Sequence, residues 1–254
     1  MNKTENFNMS PIEIQFLGSG DAFGSDGRLQ SCVMVKCSSG QFLIDCGASC
    51  LIGINRYSVN PNEIKMIFIS HLHGDHCGGI PFLILASQLI YKRTEPLLII
   101  GPPGMKEWVL QAMEILFPGS SGVPRKFSLD IMEFKDRQPE IIGDVTVIPY
   151  LNSHQDSSSF SLRIECYGKI ISYSSDTEWT DALGEAAGNA DLFIAEAYFY
   201  EKKVKGHMDY MTLMGHYGET GAKRLMLIHM QTDMLAMLNK IACEYSEDGK
   251  IVKI

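Results

Sequence analysis

Hydrophobic and polar positions change rhythm along the chain, and each rhythm names an element. Residues 12–17 (Ile-Glu-Ile-Gln-Phe-Leu) alternate with the period of a half-buried strand and stop at Gly18-Ser19-Gly20. Residues 31–37 and 41–46 predict a hairpin around Ser38-Ser39-Gly40, and 65–70 is a short apolar strand running straight into a histidine cluster. Pro81 at the head of an apolar segment predicts a helix to about residue 92; 97–100 is a buried strand, and 104–117 a helix behind Pro102-Pro103. Further strands are expected at 129–134, 141–150, 160–166, 169–173, 192–195 and 224–228, with helices at 179–187, 210–222 and 232–245. Strands with interleaved helices in two similar halves predict sheets packed on each other with helices outside, within one domain spanning residues 1–254.

Composition narrows the class. The chain has 254 residues, 45% hydrophobic and 20% charged, which supports a real core and excludes a disordered or fibrous protein. Net charge is −8, so bulk electrostatic binding of nucleic acid is not expected, and an anionic substrate must be met by a local patch or by metal ions. No apolar run is long enough to span a bilayer, and the polar start at 1–10 does not read as a signal peptide. The seven cysteines are odd in number and lack a Cys-x-x-Cys pair, which argues against a disulfide framework and for the cytosol.

The chemistry concentrates in Ser70-His71-Leu72-His73-Gly74-Asp75-His76, directly after an apolar strand. Imidazoles and carboxylates are the ligands zinc takes when no thiolate is offered. His71 and His73 alternate with Leu72 and so share one side, while Asp75 and His76, beyond the turn at Gly74, suit a second ion. Three of the seven histidines within six positions is far from a chance arrangement. His154, Asp176 and His229 each stand just past a predicted strand, the same placement repeated three times. Gly18-Ser19-Gly20, Arg28 and Ser31 are weaker candidates for a phosphate contact, and Lys202, Lys203 and Lys205 for attraction of an anion. Cys77 reads as small and buried, His216 as a helix-surface or interface residue, and the methionines of 208–237 as core packing.

A His-x-His-x-Asp-His segment, a later His, an Asp in a Ser-x-Asp-Thr setting and a final His after a strand resemble the metallo-β-lactamase superfamily. The resemblance runs from Phe16 to His229 and implies an α/β fold, an αββα sandwich of two mixed β-sheets with flanking helices. It implies a first ion held by His71, His73 and His154, a second by Asp75, His76 and His229, and Asp176 between them. Within the superfamily the chain is most similar to the ribonuclease Z branch and related phosphodiesterases. The opening Phe16-Leu17-Gly18-Ser19-Gly20-Asp21, the Arg28-Leu29-Gln30-Ser31 stretch, a carboxylate at Asp176, and Glu196 followed by Gly206-His207 carry that likeness.

That branch implies His207 as the group assisting the leaving oxygen, supported by Glu196. Asp75 would orient or deprotonate a water that becomes a hydroxide bridging two divalent ions. Zinc suits the nitrogen and oxygen ligands; manganese and iron(II) occupy similar sites. The expected substrates are RNA ends, cyclic nucleotides or small phosphodiesters, with no strong basic surface for RNA, no membrane partner, and a homodimer compatible with the resemblance. Two differences stand out: Met208-Asp209 follows His207 where ribonuclease Z has Ser-Thr, and Met230-Gln231 follows His229 in place of Phe-Ser. Only 22 positions separate His154 from Asp176, the interval in which tRNA-gripping members carry a projecting arm, so the arm is expected to be absent. The alternatives are acyl, lactone or sulfate-ester hydrolysis, against which the Glu196–His207 pair argues, and a non-catalytic scaffold, against which the full ligand set argues.

Overall fold

The alternating run at the start becomes β1 (Glu13–Gly18), followed by the hairpin β2 (Cys32–Cys37) and β3 (Gly40–Ile44) and a helix, α1 (Cys50–Arg56). The first half continues with β4 (Ile64–Phe68), the short α2 (Gly74–Cys77), α3 (Ile80–Leu89), β5 (Leu97–Gly101), α4 (Met105–Leu116) and β6 (Leu129–Glu133). The second half holds β7 (Glu140–Ile142), β8 (Val145–Leu151), β9 (Phe160–Cys166), β10 (Lys169–Tyr173), α5 (Asp181–Ala187), β11 (Leu192–Glu196), α6 (Tyr210–Thr220), β12 (Leu225–Ile228), α7 (Thr232–Leu235), β13 (Glu244–Tyr245) and β14 (Ile251–Lys253). These assignments come from a computed structural model, which describes residues 11–154 and 158–254. The polar start at 1–10 lies outside the described residues.

Two seven-stranded sheets form, in the orders β14-β1-β2-β3-β4-β5-β6 and β13-β12-β11-β10-β9-β8-β7. Each is mixed in the same way, antiparallel pairs on one side and parallel pairs on the other. The alternating faces of β1, β2, β8 and β9 meet between the sheets, where Phe16, Val33, Phe42, Phe68, Leu162, Ile164 and Ile171 are buried. The parallel strands β4, β11 and β12 are buried on both faces because helices cover the outer side. Residues of α1, α3 and α4 pack on the first sheet, and those of α5, α6 and α7 on the second. The result is the four-layer αββα sandwich the sequence implies.

Three expectations change. Residues 141–150 are two strands, because Gly143 takes φ +60 and turns the chain between β7 and β8. Residues 232–245 do not form one helix: α7 covers a single turn, a 3₁₀ turn follows at Leu238–Lys240, and β13 pairs with β12. The open edge of β12 offers hydrogen bonds that the methionine spacing alone does not reveal. The helix expected from residue 179 begins at Asp181, where the Thr180 side chain caps the Leu183 N–H. The interval between His154 and Asp176 holds β9, β10 and their turn, and no further strand or helix among its described residues.

Candidate metal centre

Strands β4, β8, β10, β11 and β12 end at one edge of the sandwich, the usual place for a site in parallel sheets. Their exits carry the chemistry: His71 to His76 after β4, His154 after β8, Asp176 after β10, Glu196 at the end of β11 and His229 after β12. Among the described residues, ligand atoms of His71, His73 and His154 lie within 4.8 Å of one another, as do those of Asp75, His76, Asp176 and His229. A third group of the same tightness joins Asp176 and His229 to Glu196 and His207. All nine candidate site residues therefore converge on one edge.

Local backbone makes this convergence possible. The α2 turn puts Asp75 and His76 behind His73, and it rests against residue 47, where a Cβ would stand 2.3 Å from the Asp75 carbonyl oxygen, so only glycine fits. Asp45, Ser175 and His229 all adopt the left-handed region (φ 59, 59 and 58), which costs non-glycine residues free energy and is kept where the surroundings enforce it.

The ring nitrogens turned away from the centre are held. His154 Nδ1 donates to the Gly206 carbonyl at 2.6 Å, and His76 Nδ1 donates to Asp45 Oδ2 at 2.6 Å. His71 Nδ1 meets the Ser70 and Ser175 hydroxyls at 3.1 and 3.3 Å. Their Nε2 atoms are thereby aimed inward, the arrangement by which carboxylates and carbonyls orient ligating histidines. Facing inward, His76 Nε2 is 3.2 Å from Asp75 Oδ2 and 3.3 Å from Asp176 Oδ1; His229 Nε2 is 3.1 Å from Asp75 Oδ2; His154 Nε2 is 3.2 Å from His73 Nδ1.

Charge in the cluster is unbalanced in a way that a cation resolves. His71 Nε2, His76 Nε2 and Asp176 Oδ1 are buried without a well-formed hydrogen bond, which is costly unless another group takes their lone pairs. Burial, with His76 beside it, holds the His71 imidazole well below its ordinary pKa. Burial alone would raise the Asp75 carboxyl, but His76 and His229 hold it far below the carboxylate range. Burial would likewise lower His229, yet Asp176 and hydrogen bonds to Asp75 and Glu196 carry it up to about 10. His76 is raised too, against its burial, by Asp176, Asp45 and Asp75. Carboxylates and imidazoles packed this closely would be neutralised by divalent cations, and these donors fit zinc, manganese or iron.

Glu196 is the second focus. Its Oε1 accepts from His207 Nδ1 at 2.6 Å and lies 3.3 Å from His229 Nδ1; its Oε2 accepts from the Thr177 and Met208 amides at 3.0 and 3.2 Å. Burial lowers His207, but the Glu196 carboxylate outweighs it and holds the imidazole above its ordinary pKa. His207 also stacks on Tyr198, with centroids 4.5 Å apart.

Two groups of importance are not named in the sequence reading. Asp45 accepts from the His76 ring, the Tyr173 hydroxyl at 2.7 Å and the Ser70 amide at 2.8 Å, so it holds two strand exits at once. It stands just past β3, but the sequence reading carries that strand to residue 46 and so places Asp45 inside it. Tyr198, its hydroxyl pushed up to about 12 by burial and nearby carboxylates, gave no signal beyond lying two residues after Glu196.

The weaker candidates sort differently. The Gly18-Ser19-Gly20 turn is not a phosphate cradle: the Ser19 amide is spent on Asp248 at 2.9 Å and the Gly20 amide on the Leu29 carbonyl at 2.7 Å. A Cβ at Gly18 would lie 2.0 Å from the Gln30 carbonyl oxygen, so the glycine serves backbone packing. Arg28 donates to the Ser246 carbonyl at 2.5 Å and Ser31 to that of Gly20 at 3.4 Å, both structural ties. Lys203 and Lys205 line a cleft with His207, whereas Lys202 sits over the Phe199 ring. Cys77 is buried, as are Met208, Met226, Met230 and Met234, while Met211 is half exposed. His216 is on the surface of α6 and stacks on Trp179.

Comparisons with known proteins bear on the family and the fold. The family model described as Anti-Pycsar protein Apyc1 matches residues 12–249. Ribonuclease Z of Bacillus thuringiensis (strain Al Hakam) is 35% identical over 163 residues, which cover 63% of this chain and 49% of that protein. The chain thus spans about half the length of the curated relatives it matches. Among solved structures, the metallo-β-lactamase fold protein YhfI from Bacillus subtilis superposes with a TM-score of 0.79 at 20% identity, covering 96% of this chain and 100% of that one. Human tRNase Z, short form, gives 0.75 at 23% identity, covering 94% and 98%. The fold is the metallo-β-lactamase fold, as the sequence implies.

Proposed function

The chain belongs to the Anti-Pycsar protein Apyc1 family, and from that premise we propose that it is a dinuclear metal-dependent phosphodiesterase acting on small diesters of nucleotide size, cyclic nucleotides included. The observation that carries the reading is the shared edge of the two ligand groups with the Glu196–His207 pair: Asp176 belongs to both the second group and the third. Two ion sites beside an oriented acid suit displacement at phosphorus, where charge develops on the phosphate and the departing oxygen needs a proton. An acyl substrate, whose leaving group is better stabilised, gains less from such an acid.

In this reading His71, His73 and His154 hold one ion, Asp75, His76 and His229 hold the other, and Asp176 touches both. When bound, such ions lower the pKa of a water and neutralise phosphate charge. Asp75 would orient that water and take up its proton. His207 keeps a proton because Glu196 raises its pKa, and with Nδ1 committed to Glu196 it is Nε2 that reaches the leaving oxygen. Size is argued by what surrounds the site. The chain is acidic overall, only two strands fill the described part of the interval where tRNA-gripping relatives carry an arm, and the cleft at His207 measures about 400 Å³, suited to a mononucleotide. All seven cysteines are free thiols, and no helix among the described residues is long and apolar enough to cross a membrane. We place the enzyme in the cytosol, with residues 1–254 working as one domain.

The test is hydrolysis of bis(p-nitrophenyl) phosphate by chelated protein reloaded with zinc or manganese. Activity is expected to return with metal and to fall by at least about 10³ in kcat in Asp75→Ala, with KM changed far less. Ester or thioester hydrolysis in place of diester hydrolysis would overturn the reading.

A further inference from the structure

Resting on that reading, we propose that Tyr198 is a positioning residue whose ring fixes the plane of the His207 imidazole, and with it the direction in which Nε2 presents its proton. As the bond from phosphorus to the leaving oxygen breaks, that oxygen keeps the electron pair and takes the Nε2 proton. The hydrogen bond from His207 Nδ1 to Glu196 Oε1 at 2.6 Å holds a single atom of the ring. Hydrogen bonds accept a broad range of directions at the oxygen, so a ring held by this contact alone still turns about it and carries Nε2 sideways. Proton transfer needs heavy atoms roughly 2.6–3.2 Å apart, and a displacement of about 1 Å costs about two orders of magnitude in rate.

Tyr198 supplies the missing restraint. Its ring stacks on His207 with centroids 4.5 Å apart and planes 23° from parallel, while His154 meets the same imidazole at 79° with centroids 5.0 Å apart. The plane is thus braced by one near-parallel neighbour and one near-perpendicular neighbour. Tyr198 is itself held at both backbone groups. Its N–H donates to the Met208 carbonyl at 2.8 Å, and its carbonyl accepts from the Gln231 N–H at 3.1 Å. The first bond ties the exit of β11 to the residue directly after His207, so the two rings keep their relation. Phe199 crosses the Tyr198 ring at 78°, with centroids 4.9 Å apart. The Tyr198 side chain is only half-buried, between the buried Ala197 and Phe199, so core packing does not account for an aromatic ring at this position. Tyr198 also approaches the His229 ring, with centroids 5.8 Å apart. An effect carried through His207 has therefore to be told from one carried through the metal centre, and the leaving group makes that distinction.

The experiment compares hydrolysis of bis(p-nitrophenyl) phosphate, whose nitrophenolate departs without needing a proton, with that of diphenyl phosphate, whose phenolate is a far poorer leaving group. In Tyr198→Leu, which keeps bulk without a flat face, kcat on diphenyl phosphate is expected to fall roughly 10–100-fold more than on the nitrophenyl diester, with KM little changed. Tyr198→Phe, which keeps the ring, should retain both rates. Equal losses on the two diesters in Tyr198→Leu overturn the positioning of His207, as does an unchanged rate on diphenyl phosphate. A loss in Tyr198→Phe as large as in Tyr198→Leu assigns the effect to the hydroxyl and overturns the role of the ring. Should neither diester be hydrolysed by the unmodified protein, the phosphodiesterase reading fails. Positioning is then decided by crystal structures of zinc-loaded unmodified protein and Tyr198→Leu: a turned or doubly placed His207 ring in the variant supports it, and an unchanged ring overturns it.

Discussion

The buried charge of Arg93 and the buried charges at the strand exits are solved in opposite ways. Arg93, 2% exposed, reaches four backbone carbonyls: Glu95 through Nε, Pro61 through Nη1, and Ile64 and Pro96 through Nη2, at 2.6 to 2.9 Å. It has carbonyl dipoles in place of a counterion, and its planar fork leaves little unsatisfied. At the strand exits, by contrast, histidines and carboxylates crowd together with inward-facing atoms that lack well-formed hydrogen bonds. Arg93 pins the loops at 61–64 and 95–96 in place. The other cluster is incomplete in itself, and cations would complete it. Burial of an ionisable group is thus no guide to function; convergence of unsatisfied ligand atoms is.

Breaking each site should separate the two. The largest effect is expected from Asp176→Ala, which removes the residue proposed to join the two ion sites: bound metal, read by elemental analysis, should fall from two equivalents to one or fewer, with activity down by at least about 10³. Retention of two equivalents would show that Asp176 does not touch both. Arg93→Met should cost about 3–5 kcal/mol in urea unfolding, because four carbonyls lose their donors, while metal content and activity per folded molecule stay the same. Loss of metal in that variant would contradict the division drawn here.

Asp45→Asn sharpens the comparison, since Asp45 is buried like Arg93 but acts on the centre through His76. Metal affinity is expected to drop roughly 10–100-fold with the fold kept, measured by competition with a chelating dye. The smallest effect is a pH dependence of the chelated protein. His229 is raised to about 10 in the folded chain, above the ordinary unfolded value of about 6.5. Its contribution to stability is therefore complete below about pH 6.5 and lost as pH rises through about 10. The thermal midpoint of chelated protein should fall over that window more than that of metal-loaded protein. Parallel profiles would mean that protonated His229 does not neutralise the carboxylates.

How much was legible in the chain depends on how far apart the cooperating residues lie. His71, His73, Asp75 and His76 fall within six positions, so their spacing alone put them on two sides of one turn. His154, Asp176 and His229 were legible because each repeats the strand-exit placement. The stretch at 232–245 was misread because methionine spacing is local, whereas the β12 edge that captures Glu244–Tyr245 is not. Asp45 and Tyr198 were missed for the same reason: nothing in their neighbouring residues announces the partner.

From its residues alone the chain determined packed sheets with helices outside and a clustered set of imidazole and carboxylate candidates, because two-residue and helical periodicities and histidine spacing are properties of short segments; the Glu196–His207 pair was legible only through the resemblance to the ribonuclease Z branch. Only the tertiary structure decided that the glycine loop near the start is packing rather than a phosphate cradle. It also decided which nitrogen of His71, His76 and His154 faces inward, and that the His207 ring stacks on Tyr198. Those are facts of orientation, and orientation is set by hydrogen bonds such as His76 to Asp45 across 31 residues and His154 to Gly206 across 52. No local pattern encodes bonds of that span; they exist only once the sheets have brought their strand ends to one edge.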